Sequence, residues 1–206
     1  MDVPSLVVFD LDECVWSPEM YTLSQIPTDA DKLMGDLGGS GEGVVGVRSG
    51  REVISIFPGA LQAFQRLLDG EYGQCVRAAA ASSADTPLAV KIGKRAMSLL
   101  EVLPGISLKD AFLKIGGGFG DERNLQIGRS PPLSSDKSAT HFPILKKLTG
   151  IPYKEMLFFD DCNWTDHCTL VGQRCAGVVT QKTPNGMTLT LWEGGMRKFR
   201  ESRCHQ

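Results

Sequence analysis

Leu6-Val7-Val8-Phe9-Asp10-Leu11-Asp12 decides how the rest of the chain is read. Its first four residues form a short run that is apolar on both faces, the pattern of a strand buried inside a parallel sheet. The run ends at a carboxylate, and a second follows two residues later. In open parallel sheets ligands bind at the carboxyl ends of strands, which is where Asp10 falls. If the extended geometry persists, Asp12 shares its face. Two carboxylates so close repel each other and need a cation to be tolerated. Acids also follow strands in ordinary loops, and on this stretch alone the two readings are balanced.

The pattern returns at Met156-Leu157-Phe158-Phe159-Asp160-Asp161, a second apolar strand with carboxylates at its end. If the two strands are neighbours, Asp10, Asp12, Asp160 and Asp161 converge on one pocket. Hard oxygen ligands at short reach suit Mg²⁺, which keeps several waters and takes one or two carboxylates. A third run, Val76-Arg77-Ala78-Ala79-Ala80-Ala81, ends in Ser82-Ser83, whose hydroxyls and following backbone N–H groups can donate to an anion. By itself that is an ordinary helix cap. Lys137, in Ser135-Asp136-Lys137-Ser138, stands just ahead of a helical pattern and can hold a phosphoryl group as a point charge, although most lysines are only solvated.

Ala176–Thr180 completes a set of four strand-like runs. Helical patterns lie between them at Ala60–Leu68, Leu88–Leu103 and Thr140–Leu148, the second introduced by Thr86-Pro87 and the third closed by Gly150. Strands alternating with helices predict an α/β fold: a Rossmann-like three-layer domain around a central parallel sheet. Val44–Phe57 breaks the alternation with two strand-like runs around Ser49-Gly50, a small β-hairpin. Thr22–Gly43 reads as a mobile surface loop, and Ile115–Pro132, rich in Gly and Pro, as an irregular one. One domain over residues 1–206, with the hairpin at 44–57 as its appendage, accounts for the whole chain.

Composition narrows the function. Hydrophobic residues make up 42% and charged residues 22%, an ordinary globular balance, and the formal net charge is −2. Phosphate-backbone binding leans on clustered Lys and Arg, so nucleic acid is not expected as a partner. No apolar stretch approaches the ~20 residues of a membrane span, and the start Met1-Asp2-Val3-Pro4 lacks the basic, apolar form of a leader. The six cysteines contain no Cys-x-x-Cys pair, which favours free thiols and a cytoplasmic setting. Cys162, His167, Cys168 and Cys175 match no common zinc spacing and read as structural. Gly116–Gly120 fits neither the dinucleotide nor the P-loop pattern. Oligomeric state is not legible.

Taken in order, the four motifs resemble those of the haloacid dehalogenase (HAD) superfamily of phosphohydrolases: Asp10-x-Asp12 the first, Ser82 the second, Lys137 the third and Asp160-Asp161 the fourth. The closer resemblance is to the eukaryotic magnesium-dependent phosphatase family. It is carried by Phe9–Asp12 with Trp16, Phe57-Pro58, Ala79–Ser82, Thr140-His141-Phe142, Thr149–Pro152, Phe158–Asp161 and Gly186-Met187. The resemblance spans nearly the whole chain. It implies a HAD-like fold with a minimal cap, played by the hairpin. It also implies Mg²⁺ at Asp10, Asp161 and the backbone carbonyl of Asp12, with Asp160 as a supporting or alternate ligand; Asp12 is itself counted among the candidate ligands. Asp10 is then the nucleophile and forms an aspartyl phosphate, Asp12 the acid and base, and Ser82, Ser83 and Lys137 the phosphate-binding groups.

Three departures stand out. Cys14 replaces the usual Thr or Val, Ser83 stands where an Arg is common, and Lys137 lies one residue farther from Thr-His-Phe than the pattern has it, with Lys146 and Lys147 as fallbacks. The expected activity is Mg-dependent hydrolysis of a small phosphorylated substrate or a phosphoprotein, of the phosphotyrosine or sugar phosphate type. A catalytically silent binding protein on the same scaffold and a phosphotransferase are the alternatives. A receiver domain is set aside, because its acceptor Asp lies on a middle strand.

Overall fold

Residues 3–204 are described by a computed structural model, and in it the run that opens the reading is β1 (Leu6–Phe9), buried at every position. The start of the stretch read for a leader, Met1 and Asp2, lies outside the described residues. With β6 (Arg77–Ser82), β9 (Leu125–Ile127), β10 (Met156–Asp160) and β11 (Val179–Lys182), β1 forms a parallel sheet ordered β11-β10-β1-β6-β9. β1 and β10 are neighbours, in the register Leu6↔Met156 to Phe9↔Phe159, so both acid-bearing tips end side by side.

Alternation along β1 then builds two apolar layers. Val7 and Phe9 point to the side covered by α1 (Pro58–Leu68), α2 (Pro87–Leu99), α3 (Leu108–Lys114) and α6 (Leu189–Arg203). Leu6 and Val8 face α4 (His141–Thr149) and α5 (His167–Arg174). Phe9 stacks on Phe64 at 4.9 Å between ring centroids and meets Phe112 edge-on at 6.0 Å. Each such fully buried ring contributes about 1.5–3 kcal/mol of hydrophobic stabilisation. The result is the three-layer α/β arrangement expected.

The helices start where the local chemistry directs them. Thr86 Oγ1 accepts from Ala89 N at 3.0 Å, with Pro87 in the first turn of α2, and Asp166 accepts from Thr169 N at 3.0 Å at the start of α5. Gly150, left-handed at φ 73°, ends α4. α2 stops at Leu99, short of the expected Leu103, because β7 (Glu101–Leu103) turns back to pair with β8 (Ile106–Ser107). α3 was not anticipated, although a capping box marks it: Ser107 Oγ accepts from Asp110 N at 3.0 Å, and Asp110 accepts from Ser107 N at 3.3 Å.

Two loop expectations are corrected. Thr22–Gly43 carries β3 (Lys32–Asp36), which pairs antiparallel with β4 (Glu42–Ser49) and extends the predicted hairpin of β4 and β5 (Glu52–Ile56). With β2 (Trp16–Ser17) these strands form a four-stranded sheet ordered β2-β5-β4-β3. β3 sits on the edge with no buried residue, so it had no apolar alternation to display. Ile115–Pro132 contains β9, three residues on the far edge of the parallel sheet, too short for periodicity to show.

Gly186 explains one motif of the resemblance. It takes φ 81°, and a Cβ there would lie 2.5 Å from the Phe57 ring. The next residue, Met187, donates its N–H to the Cys14 carbonyl at 3.0 Å, tying the turn after β1 to the entry of α6. All six cysteines are free, and among the described residues no helix is long and apolar enough to cross a membrane.

Candidate active site

Because β1 and β10 end together, Asp10 N donates to the Phe159 carbonyl at 2.9 Å, and the Asp10, Asp160 and Asp161 carboxylates lie within 4.8 Å of one another, all buried. Lys137 reaches them from the segment ahead of α4. Its side chain is 1% exposed, and its Nζ sits 2.8 Å from Asp10 Oδ1 and 2.7 Å from Asp160 Oδ2. Lys137 is therefore the lysine the fold brings to the acids. Of the fallbacks, Lys146 instead lies over the Tyr153 ring, 4.5 Å from its centroid.

Three carboxylates facing one ammonium leave this space short of positive charge. Burial pushes the Asp10 carboxyl well above its ordinary range; Lys137 pulls it down, and Asp160 and Asp161 push it up again. Burial, then the Asp160 charge, also raises Asp161. Burial alone would strip Lys137 of its proton, but the attraction of Asp10 and Asp160 outweighs it and the pKa rises, so the ammonium stays charged. A buried set of hard oxygen donors carrying excess negative charge fits a small divalent cation such as Mg²⁺.

Asp12 is not one of the three. Trp16 Nε1 donates to its Oδ1 at 2.7 Å and Met20 N to its Oδ2 at 3.1 Å. The strand ends at Phe9, and the chain then winds into a tight turn, with Val15 N and Trp16 N both donating to the Leu11 carbonyl and Glu13 left-handed at φ 53°. Strand alternation no longer governs where Asp12 points. Its carboxyl is pushed up to about 7 chiefly by burial, against the two hydrogen bonds, with the Glu19 charge adding a smaller push. The carboxylates of the trio are not the main cause of that rise.

Around these groups lies a cavity of about 360 Å³ lined by Asp10, Asp12, Ser82, Ser83, Lys137, Asp160 and Asp161. All the residues expected from the four motifs thus border one space. Ser82, buried at the end of β6, is held through its carbonyl, which accepts from Gly128 N at 2.8 Å and lies 3.1 Å from His141 Nε2. His141 stays neutral: burial, then the Lys137 charge, lowers it to about 4.

The further lining residues, not anticipated as site residues, include Glu19, Tyr21, Arg129 and Trp164. Arg129 Nε donates to the Ser83 carbonyl at 2.6 Å, so a guanidinium reaches the neighbourhood of Ser83 from the loop after β9. No sequence signal marks it inside a Gly- and Pro-rich stretch. His167, set aside as structural, also borders the cavity with its Nδ1 buried and unpartnered. It does not join the cysteines in a metal site: among the described residues, the carboxylate trio is the one group of three or more ligand-type side chains. No residue of β4 or β5, the hairpin expected as a cap, lines the cavity.

No curated protein matches the chain. Among solved structures it is similar to the N-terminal part of the Bacteroides fragilis protein BF1531, which contains a phosphatase domain complexed with Mg. The identity is 14% and the TM-score 0.46, over 87% of this chain. The chain spans 36% of the length of that one. The sequence matches the family described as acid phosphatase over residues 2–202. Since the match takes in all four motifs and nearly the whole of the chain, this protein belongs to the acid phosphatase family.

Proposed function

We propose that this phosphatase is a Mg²⁺-dependent phosphomonoesterase of the HAD type that works through an aspartyl phosphate on Asp10, on substrates of the phosphotyrosine or sugar phosphate class. The observation that carries the reading is the buried trio of Asp10, Asp160 and Asp161, bridged by Lys137 at two adjacent strand tips. Asp10 and Asp161 would hold the ion, with Asp160 engaged by Lys137 and by Cys162 N at 2.9 Å. When bound, Mg²⁺ supplies charge neutralisation between an anionic nucleophile and an anionic substrate.

The protein's own groups then divide the work. Lys137 and Ser82 bind phosphoryl oxygens, and Lys137 also orients the Asp10 carboxylate through the 2.8 Å contact. Asp10 attacks phosphorus in line: an O–P bond forms on its carboxylate while the bond to the leaving oxygen breaks. Asp12 gives its proton to that oxygen. With its pKa near 7 it holds a proton in a good fraction of molecules at neutral pH, as a general acid must, and afterwards it takes one from the water that hydrolyses the acyl phosphate. Its hydrogen bonds to Trp16 and Met20 fix the carboxyl for both transfers.

The test is to trap the intermediate. Asp12→Asn, mixed with a labelled aryl phosphate bearing a good leaving group, is expected to accumulate label on Asp10 that hydroxylamine releases. Turnover in the wild type, with no label retained by the variant at any time point, would rule out the covalent route.

A further inference from the structure

The large apolar side chain most open to water stands at the rim of the cavity. Trp164 is 76% exposed, more than any other such residue among those described, whereas Trp16 and Trp192 are fully buried. Beside it lies Tyr21, 47% exposed, with ring centroids 6.2 Å apart and planes at 75°. The two rings come from different elements. Tyr21 belongs to the 3₁₀ turn Met20–Thr22 that follows β2, and Trp164 to the loop after β10, three residues beyond Asp161.

A single exposed apolar residue needs no explanation, but this one is held in place. Trp164 Nε1 donates to Glu19 Oε1 at 2.8 Å, and Tyr21 meets the indole edge-on. The segment carrying Glu19 and Tyr21 is itself anchored, since Met20 N donates to Asp12 at 3.1 Å. The indole is thus oriented before anything binds, and an oriented ring costs less entropy to engage than a free one. The aromatic pair is also linked, through Met20, to the carboxyl assigned to the leaving oxygen. Glu19 is an acceptor that a sugar hydroxyl could have used, but one of its oxygens already holds the indole.

We infer that Trp164, braced by Glu19 and Tyr21, is the specificity-determining platform of this cavity, against which a flat aromatic leaving group lies while its phosphoryl group sits at Asp10. The inference rests on the hydrolytic reading above and narrows its substrate classes to aryl phosphates. An offset-stacked or edge-to-face aromatic contact contributes about three- to tenfold in affinity beyond buried area, and this is the size of the selectivity expected.

Two measurements separate the platform from the chemistry. In the first, kcat/KM is measured for 2-naphthyl phosphate and for glucose 6-phosphate, in wild type, Trp164→Ala and Trp164→Phe. Taking the ratio of the two substrates in each protein, and comparing proteins, cancels their different leaving-group reactivity. The ratio is expected to fall about three- to tenfold in Trp164→Ala and by less in Trp164→Phe, which keeps an aromatic face but loses the hydrogen bond to Glu19. A change of less than about twofold in Trp164→Ala, or a loss shared equally by the sugar phosphate, overturns the platform. In the second, the affinities of phenylphosphonate and methylphosphonate, which cannot be hydrolysed, are measured by calorimetry on the same three proteins. A phenyl preference that disappears in Trp164→Ala, in a protein that turns over neither phosphate, leaves the platform standing and ends the hydrolytic reading. Turnover without a phenyl preference does the reverse.

Discussion

The tips of β1 and β10 begin from the same ingredient, an apolar strand followed by two aspartates, and arrange it differently. At β10 the aspartates are adjacent, and both reach the buried trio. At β1 they are separated by Leu11, and only Asp10 does so; Asp12 is drawn aside by the Trp16 indole and the Met20 amide. The adjacent pair therefore sets two carboxylates in the trio beside Lys137, while the spaced pair places one carboxyl inside the trio and one outside it, held by donors of its own. A phosphoryl transfer through a carboxylate needs both: a site that tolerates an anion attacking an anion, and a proton donor near the leaving oxygen. On the proposed mechanism, spacing by a single residue is what separates the two roles.

The largest effect should follow from exchanging a role between tips. Asp10→Asn is expected to lower kcat/KM for an aryl phosphate by at least about a thousandfold at any Mg²⁺ concentration, because an amide oxygen cannot replace the attacking carboxylate. Asp161→Asn should instead raise the Mg²⁺ needed for half-maximal activity by about ten- to a hundredfold, with much of the rate recovered in excess metal. Titrating both variants with Mg²⁺ checks the division. If excess metal rescues Asp10→Asn, or fails to help Asp161→Asn at all, the tips do not differ in the way argued.

A smaller effect sharpens the contrast through pH. Asp12 has a folded-state pKa raised from 3.8 to about 7, so the stability linked to its protonation is complete below about pH 4 and is lost as pH rises through 7. His141 and His167 run the other way. Burial lowers both from 6.5 to about 4, so their contribution is complete above about pH 6.5 and is lost as pH falls through 4. Across the same window the two regions oppose each other, and the wild-type stability curve should be flatter than either alone. Asp12→Asn removes one side. Relative to wild type, the variant should gain about 2 kcal/mol more stability at pH 8 than at pH 4.5, after allowance for the partial exposure of Asp12. Urea denaturation at the two pH values, with metal chelated, measures the difference; an equal shift at both would mean that Asp12 is not held near neutrality by the fold.

Much of this arrangement could be read from residues alone, and the exceptions share a cause. β1 was legible to the residue, and β6 and β10 to within one, because buried parallel strands are continuous apolar runs. Asp10, Asp160 and Asp161 stand at the ends of such strands, whereas Ser82 and Lys137 were picked out by the resemblance, their local patterns alone fitting an ordinary cap and a solvated lysine. β3 and β9 were not legible: an edge strand with one or both faces in water, or only three residues long, carries no periodic signal. The direction of the Asp12 side chain was hidden for a related reason. Where regular structure stops at Phe9, the geometry is decided by one turn and two hydrogen bonds, and the alternation rule is silent. Trp164 and Arg129 were missed because both lie on loops, where no pattern says which way a side chain faces, although a Trp three residues after an acid pair was available as a hint.

The smallest predicted effect concerns what the two tips have in common. Each pair of aspartates is followed at once by a non-glycine residue in the left-handed region, Glu13 at φ 53° and Cys162 at φ 60°. At β10 this conformation turns the backbone so that Cys162 N donates to Asp160 at 2.9 Å and Asn163 N to Asp161 at 3.0 Å. At β1 it lets Glu13 N donate to the Trp16 carbonyl at 2.8 Å, closing the turn that aims Asp12 at the indole. A β-branched side chain is poorly tolerated there. Cys162→Val, close in size and still apolar, should cost about 1–2 kcal/mol of stability, whereas Cys162→Gly should be close to neutral, relief of strain offsetting the added freedom of the unfolded chain. Thermal denaturation of the two variants distinguishes a backbone effect from a packing effect. Were the thiol needed for packing against α5, Gly would be the worse of the two; if the left-handed turn is what holds both carboxylates, Val is.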